Sequence, residues 1–146
     1  PDRVRIVYAG PDSARVRRDA RAHGVGPYLE DLGSVDANAA RDLVRTAAAS
    51  VVIVSEGYEY QYPGKIFDAV ATGNPILLLA PAGADAAQVV RRHRLGWAHE
   101  PSDVEGLAAS IRRVLDGETI HPAGLEIFET HHVMGELDAA LRRLLT

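Results

Sequence analysis

A chain of 146 residues is long enough to bury one core without the help of disulfides or metal. Its hydrophobic fraction of 47% and charged fraction of 25% are those of an ordinary soluble domain, which excludes disorder and fibrous repeats. The absence of cysteine excludes a disulfide framework, a thiolate zinc site and a cysteine nucleophile; a net charge of −4 argues against a nucleic-acid binder, and no apolar run approaches the ~20 residues of a transmembrane helix.

The first element is Val4 to Gly10, a β-rich run closed by glycine, and it starts almost at Pro1, with no leader before it. This beginning is expected of a fragment cut from a longer protein. Pro11-Asp12-Ser13 supplies capping chemistry for a helix reaching His23. Tyr28 to Leu32 reads as a short second strand ending at Gly33, and Asp36 caps a helix running to Ala47–Ala49. Val51 to Val54 is a continuous β-branched run, which predicts a strand buried on both faces of a parallel sheet.

An irregular segment rich in Tyr and Gly, Glu56 to Tyr62, leads to Pro63-Gly64, which opens a helix over Lys65 to Thr72 that Gly73 ends. Ile76 to Leu79 is the next strand, followed by the loop Pro81-Ala82-Gly83 and a helix from Ala84 to about Arg94. Gly96 to His99 is a last short strand, with Trp97 packing at the sheet edge. Asp103 then starts a helix whose Val104, Leu107, Ala108, Ile111 and Leu115 share one face. His121 to Gly124 is a linker, and Leu125 to Leu145 a terminal helical segment broken at Gly135. Short links between alternating strands and helices predict an α/β, doubly wound parallel sheet of Rossmann-like type.

In such sheets ligands bind outside the carboxyl ends of the strands, at the loops after Gly10, Gly33, Ser55 and Ala80. Glycine there lets backbone amides approach a phosphate or a base. Lys65 is the sole lysine among 16 Lys+Arg residues and sits in the first turn of a helix, where the dipole disfavours a cation. On that helix Ile66, Phe67, Val70 and Ala71 share one arc, while Lys65, Asp68 and Thr72 share the other. A nearby anion and an ordinary exposed Lys65–Asp68 pair both fit this geometry.

The segment Pro63-Gly64-Lys65-Ile66-Phe67-Asp68-Ala69-Val70-Ala71-Thr72-Gly73-Asn74-Pro75 resembles the donor-nucleotide motif of glycosyltransferase family 4 (glycosyl transferases group 1), the C-terminal half of the GT-B fold. Pro63, Lys65, Asp68, Ala71, Gly73 and Pro75 match its pattern in order. The resemblance implies that Asp68, in place of the family's glutamate, accepts hydrogen bonds from the donor ribose, and that backbone around Pro63-Gly64 meets the diphosphate. Tyr60, close to Tyr62, stands where the more familiar form has a second glutamate contacting the sugar. Gly33-Ser34-Val35 is similar to the segment whose backbone meets the base, and Gly10 closes the preceding strand. The likeness runs from about Val4 to Leu115.

The implied organisation is a nucleotide-sugar-binding domain over residues 1–117, lacking its first βα unit, with a linker and helical tail over 118–146. The implied activity is transfer of a sugar from a UDP- or GDP-sugar to an acceptor, without cofactor or metal and with anomeric retention. No catalytic residue is assigned to this chain, which is expected to be inactive without an N-terminal acceptor-binding domain. A cytoplasmic location follows, peripheral to the membrane in the full-length enzyme. The nucleotide sugar and the missing domain are its expected partners, with no nucleic acid and no transmembrane segment.

Other chemistries find less support. His23, His93, His99, His121, His131 and His132 show no metal spacing and read as solvated or capping groups. Ser13, Ser34, Ser50, Ser55, Ser102 and Ser110 lack the Gly-x-Ser-x-Gly elbow of a hydrolase triad. A noncatalytic receiver-like signalling module shares the alternating architecture, but it needs an acidic pair after the first strand and an aspartate after the third. A nicotinamide-binding domain needs Gly-x-Gly-x-x-Gly after the first strand.

Overall fold

A computed structural model describes residues 4–144. Strands β1 (Ile6–Tyr8), β2 (Leu29–Asp31), β3 (Ser50–Ile53), β4 (Ile76–Leu79) and β5 (Gly96–His99) alternate with helices α1 (Ser13–Ala22), α2 (Ala37–Thr46), α3 (Gly64–Thr72), α4 (Asp85–Arg92) and α5 (Val104–Leu115). A 3-10 turn, Leu125–Phe128, precedes the terminal helix α6, Thr130–Leu144. Every strand pair is parallel, and the architecture is the Rossmann-like doubly wound α/β type.

The strands form two sheets, not one. β1 pairs with β2, and β3, β4 and β5 pair in that order. The character of the strands shows which edges are natural ends. β2, Leu-Glu-Asp, carries the charges that protect an outer edge, whereas β1 (Ile-Val-Tyr) and β3 (Ser-Val-Val-Ile) have the apolar composition of interior strands. Each nevertheless has a neighbour on one side only among the described residues.

This corrects the expectation for Val51 to Val54. Val52 and Val54 are buried, but Val51 is 56% and Ile53 65% exposed. β-branching signals a strand that can be covered on both faces; whether anything covers it depends on elements distant in sequence.

The core lies around β3, β4 and β5. Val52, Ile76, Leu78 and Ala80 from the sheet meet Ile66 and Ala69 of α3, Ala86, Ala87 and Val90 of α4, and Leu95. α2 packs on α3, and α4 and α5 pack on β4 and β5.

Three side-chain placements differ from expectation. The buried face of α3 is Ile66 and Ala69, while Phe67 is exposed on its other side and meets Phe128 edge-to-face at 5.9 Å. α5 buries Ser110, and Val104 faces outward. His93 is buried at the end of α4, its Nδ1 donating to the Ala123 carbonyl at 2.9 Å while the Ala123 amide returns to the His93 carbonyl at 3.0 Å.

These contacts, with Leu125 and Phe128 on the core, strap the segment after α5 back onto the domain. α6 continues through Gly135 without a break as far as Leu144; Leu145 lies outside the described residues. One glycine costs about 1 kcal/mol in a helix, too little to end one with favourable residues on both sides.

Candidate functional site

Within each sheet the strands are parallel, so the loops after them lie together at that sheet's carboxyl edge. β1 and β2 contribute Gly10 and Gly33 to theirs. The Leu32 amide donates to the Tyr8 carbonyl at 2.9 Å and the Gly10 amide to the Gly33 carbonyl at 2.8 Å, so the two loops are joined just beyond the strands. Tyr8 folds back over Gly10, where a β-carbon would stand 2.6 Å from its hydroxyl, and that hydroxyl accepts from the Asp12 amide at 3.2 Å. A side chain at position 10 would therefore oblige the Tyr8 ring to shift. Gly33 adopts φ +65°, a left-handed conformation that side chains disfavour.

Asp31 closes β2 and organises this corner. Its Oδ1 accepts from the Gly33 amide at 3.0 Å and from the Ser13 hydroxyl at 2.8 Å, and Arg17 Nη1 lies 2.9 Å from Oδ2. The side chain is only 5% exposed. The Gly33 amide, against the opposing cost of burial, holds the carboxyl below its usual range, helped by Ser13 and Arg17. With both backbone groups of Gly33 engaged, the free amides of this turn are those of Ser34 and Val35, which have no hydrogen-bond partner among the described residues.

In the second sheet, the loop after β3 folds on itself. The Gln61 amide donates to the Tyr58 carbonyl at 2.9 Å, the Gly57 amide to the Glu59 carboxylate at 2.8 Å, and the Asp85 amide to the Glu59 carbonyl at 2.9 Å. The Gly57 amide, then Glu59's own, lowers the Glu59 carboxyl below the usual range. Tyr58, Tyr60 and Tyr62 are all exposed. Ile53, Val54, Ser55, Tyr58, Gln61 and Pro63 line an open depression of about 220 Å³.

Pro63 then stands at the N-cap of α3, whose first turn receives no side-chain cap. Its leading amides, from Gly64 onward, therefore present partial positive charge to whatever lies at this edge. Lys65 and Asp68 are exposed, and among the described residues no ion pair joins them or ties either to another side chain. The exposed pair that the helix geometry allowed is not formed.

Gly10, Gly33, Ser34 and Val35 are thus one cluster, and Tyr60, Tyr62, Pro63, Gly64, Lys65 and Asp68 another. Each lies at the carboxyl edge of its own sheet, and no hydrogen bond joins the two clusters among the described residues.

A constellation not anticipated from sequence joins β5 to α5. His99 Nδ1 donates to Asp103 at 2.9 Å, and its Nε2 lies 2.8 Å from the Ser110 hydroxyl. The bond from His99, then the Gly106 amide, lowers the Asp103 carboxyl below the usual range. Ser110, 3% exposed, is inaccessible to a substrate, so the arrangement fastens the helix and performs no hydrolysis. No group of three or more His, Cys, Asp or Glu residues suited to a metal occurs among the described residues.

A family model described as Glycosyl transferases group 1 matches residues 1–117. No curated protein matches the chain. The match spans most of the chain and the whole of both clusters, so the chain belongs to this family and carries a glycosyltransferase domain; the receiver-like alternative is set aside.

Proposed function

For this member of the group 1 glycosyl transferases, we propose that the carboxyl edge binds the nucleoside diphosphate of an activated sugar, a UDP- or GDP-sugar. Asp68 accepts hydrogen bonds from the ribose, the uncapped start of α3 and Lys65 face the diphosphate, and the Gly33–Val35 turn meets the base. Tyr60 and Tyr62 border the sugar side. The observation that carries this reading is the start of α3: an uncapped helix terminus with an unpaired cation and an unpaired carboxylate, beside the 220 Å³ depression, at the edge where doubly wound sheets bind ligands.

The transfer proceeds without metal, retains anomeric configuration and requires an N-terminal acceptor-binding domain, so this chain alone gives no turnover. A βα unit preceding residue 1 completes the sheet between β1 and β3; the one-sided pairing of these two interior-type strands supports it. The domain proper spans residues 1–117, and residues 118–146 form its linker and tail. The enzyme is cytoplasmic and, at full length, peripheral to the membrane; no helix among the described residues is long and apolar enough to cross one.

Calorimetric titration with a nucleoside and its diphosphate tests the assignment. A hydrogen bond to a charged group contributes about 1.5–3 kcal/mol, so Asp68→Ala should weaken both ligands roughly tenfold to a hundredfold. Lys65→Ala should weaken the diphosphate more than the nucleoside, because the ammonium's partner is phosphate. Both side chains are exposed, so the variants should fold normally. Unchanged affinities in folded variants would remove the pair from the site.

A further inference from the structure

The Asp31 side chain is only 5% exposed in a stretch where no residue as a whole is buried, and the donor reading leaves it without a task. Its bonds are directional. Oδ1 accepts at once from the Gly33 amide (3.0 Å) and the Ser13 hydroxyl (2.8 Å), tying the turn after β2 to the first residue of α1. An aspartate accepting from the amide two residues on forms an Asx turn, which fixes the direction of the next peptide units. The Gly33 carbonyl is occupied by the Gly10 amide, so the peptide on each side of Gly33 is held. What emerges from this frame is the pair of unpartnered amides at Ser34 and Val35.

We propose that Asp31 is a positioning residue for base selection: its Oδ1 clamps Gly33 and Ser13 so that the Ser34 and Val35 amides stand at fixed positions facing the nucleobase. This rests on the donor-binding reading above. Two N–H donors held in place favour a base whose edge offers acceptors at matching spacing, and they discriminate only while their geometry is fixed. Asp31 touches neither base nor phosphate. The half of the carboxylate facing Arg17 is not part of the clamp, so the ion pair at Oδ2 has no part in selection.

The test compares UDP with GDP on the whole chain by calorimetry, reading the ratio of their affinities. Asp31→Ala should bring whatever preference the native chain shows closer to unity, by roughly three- to tenfold, the worth of one or two neutral hydrogen bonds. Asp31→Asn keeps an acceptor oxygen for the Gly33 amide and should retain most of the preference. Ser13→Ala, removing one donor from outside the turn, should give a partial loss and serves if Asp31→Ala does not fold. Arg17→Ala should leave the ratio unchanged. If Asp31→Ala or Ser13→Ala, once folded, keeps the native ratio, or loses both ligands equally, the positioning role is overturned while the donor site stands. Failure of the native chain to bind either diphosphate would overturn the donor reading and this proposal together; equal binding of both by the native chain would overturn base selection alone.

Discussion

The amino-terminal and carboxyl-terminal stretches of this domain repeat the same strand-helix alternation but are held together differently. From Val52 onward, valine, isoleucine, leucine and alanine side chains are packed into a core around β3, β4 and β5, and residues 50–98 contain no ion pair among the described residues. Residues 4–51 contain no buried residue, and the pairs Arg5–Glu30, Arg15–Asp19, Arg17–Asp31, Arg18–Asp19 and Arg45–Asp42 all fall there. The difference follows from strand position. β4 has a neighbour on each side and helices over it, whereas among the described residues β1 pairs with β2 alone. Apolar area removed from water contributes roughly 25 cal/mol per Å², and a parallel strand lacking a neighbour and cover forgoes most of it. The amino-terminal stretch is therefore the weaker cooperative unit.

The largest effect should come from the core. Leu78→Ala removes a fully buried side chain from the central strand and should cost about 2–5 kcal/mol in urea unfolding. Ile6→Ala, at a position 44% exposed, should cost about 1 kcal/mol or less. Equal losses at the two sites would break the contrast, because they would mean that β1 is as deeply packed as β4.

An intermediate effect is expected from acid, and it should strike the amino-terminal stretch first. The folded-state pKa of Asp31 lies below its unfolded value near ~3.9, so its stabilising contribution is complete above that value. It is lost as pH falls through the folded pKa, where the unfolded chain binds the extra proton. Hydrogen exchange below about pH 4 should therefore show the Leu32 and Gly10 amides, which bridge β1 and β2, losing protection before the amides of β4. The Asp103 and Glu59 carboxyls are also lowered, but their contacts lie on a stretch that has a hydrophobic core beneath it. Simultaneous loss of protection in both stretches would show that they unfold as one unit.

The parts of this architecture written into local sequence were legible before the structure. β-branched and apolar runs, the Asp36 cap and the Pro63-Gly64 helix start depend on neighbours a few residues away, and the elements lie where those signals put them. Exposure of Val51 and Ile53, the outward position of Phe67 and the division into two sheets depend on which strand stands beside which, information that no local window contains. The candidate site divides the same way. Lys65 and Asp68 could be placed on one face of a helix start from their spacing alone. Asp31 could not be singled out, since its partners Ser13 and Arg17 belong to another element; the one local trace is the Asp-Leu-Gly of an Asx turn.

The smallest effect separates two kinds of polar contact within the amino-terminal stretch. Arg5 and Glu30 lie 3.1 Å apart across β1 and β2, but their side chains are 73% and 42% exposed. Water screens such a pair, and ordering two long side chains offsets much of what attraction remains, so exposed pairs contribute about 0.2–1 kcal/mol. A double-mutant cycle with Arg5→Gln and Glu30→Gln should give a coupling in the lower part of that range. It should shrink further in 1 M salt, where the Debye length falls to about 3 Å. The Asp31 contacts should respond differently, because a carboxylate closed off from solvent and bonded to an amide and a hydroxyl is poorly screened. Asp31→Asn should therefore change the exchange protection of Leu32 and Gly10 by nearly the same factor at low and high salt. If salt erased both effects alike, the Asp31 clamp would be an ordinary surface pairing. If it erased only the Arg5–Glu30 coupling, the cohesion of β1 with β2 would rest on one buried carboxylate and the backbone bonds it aligns.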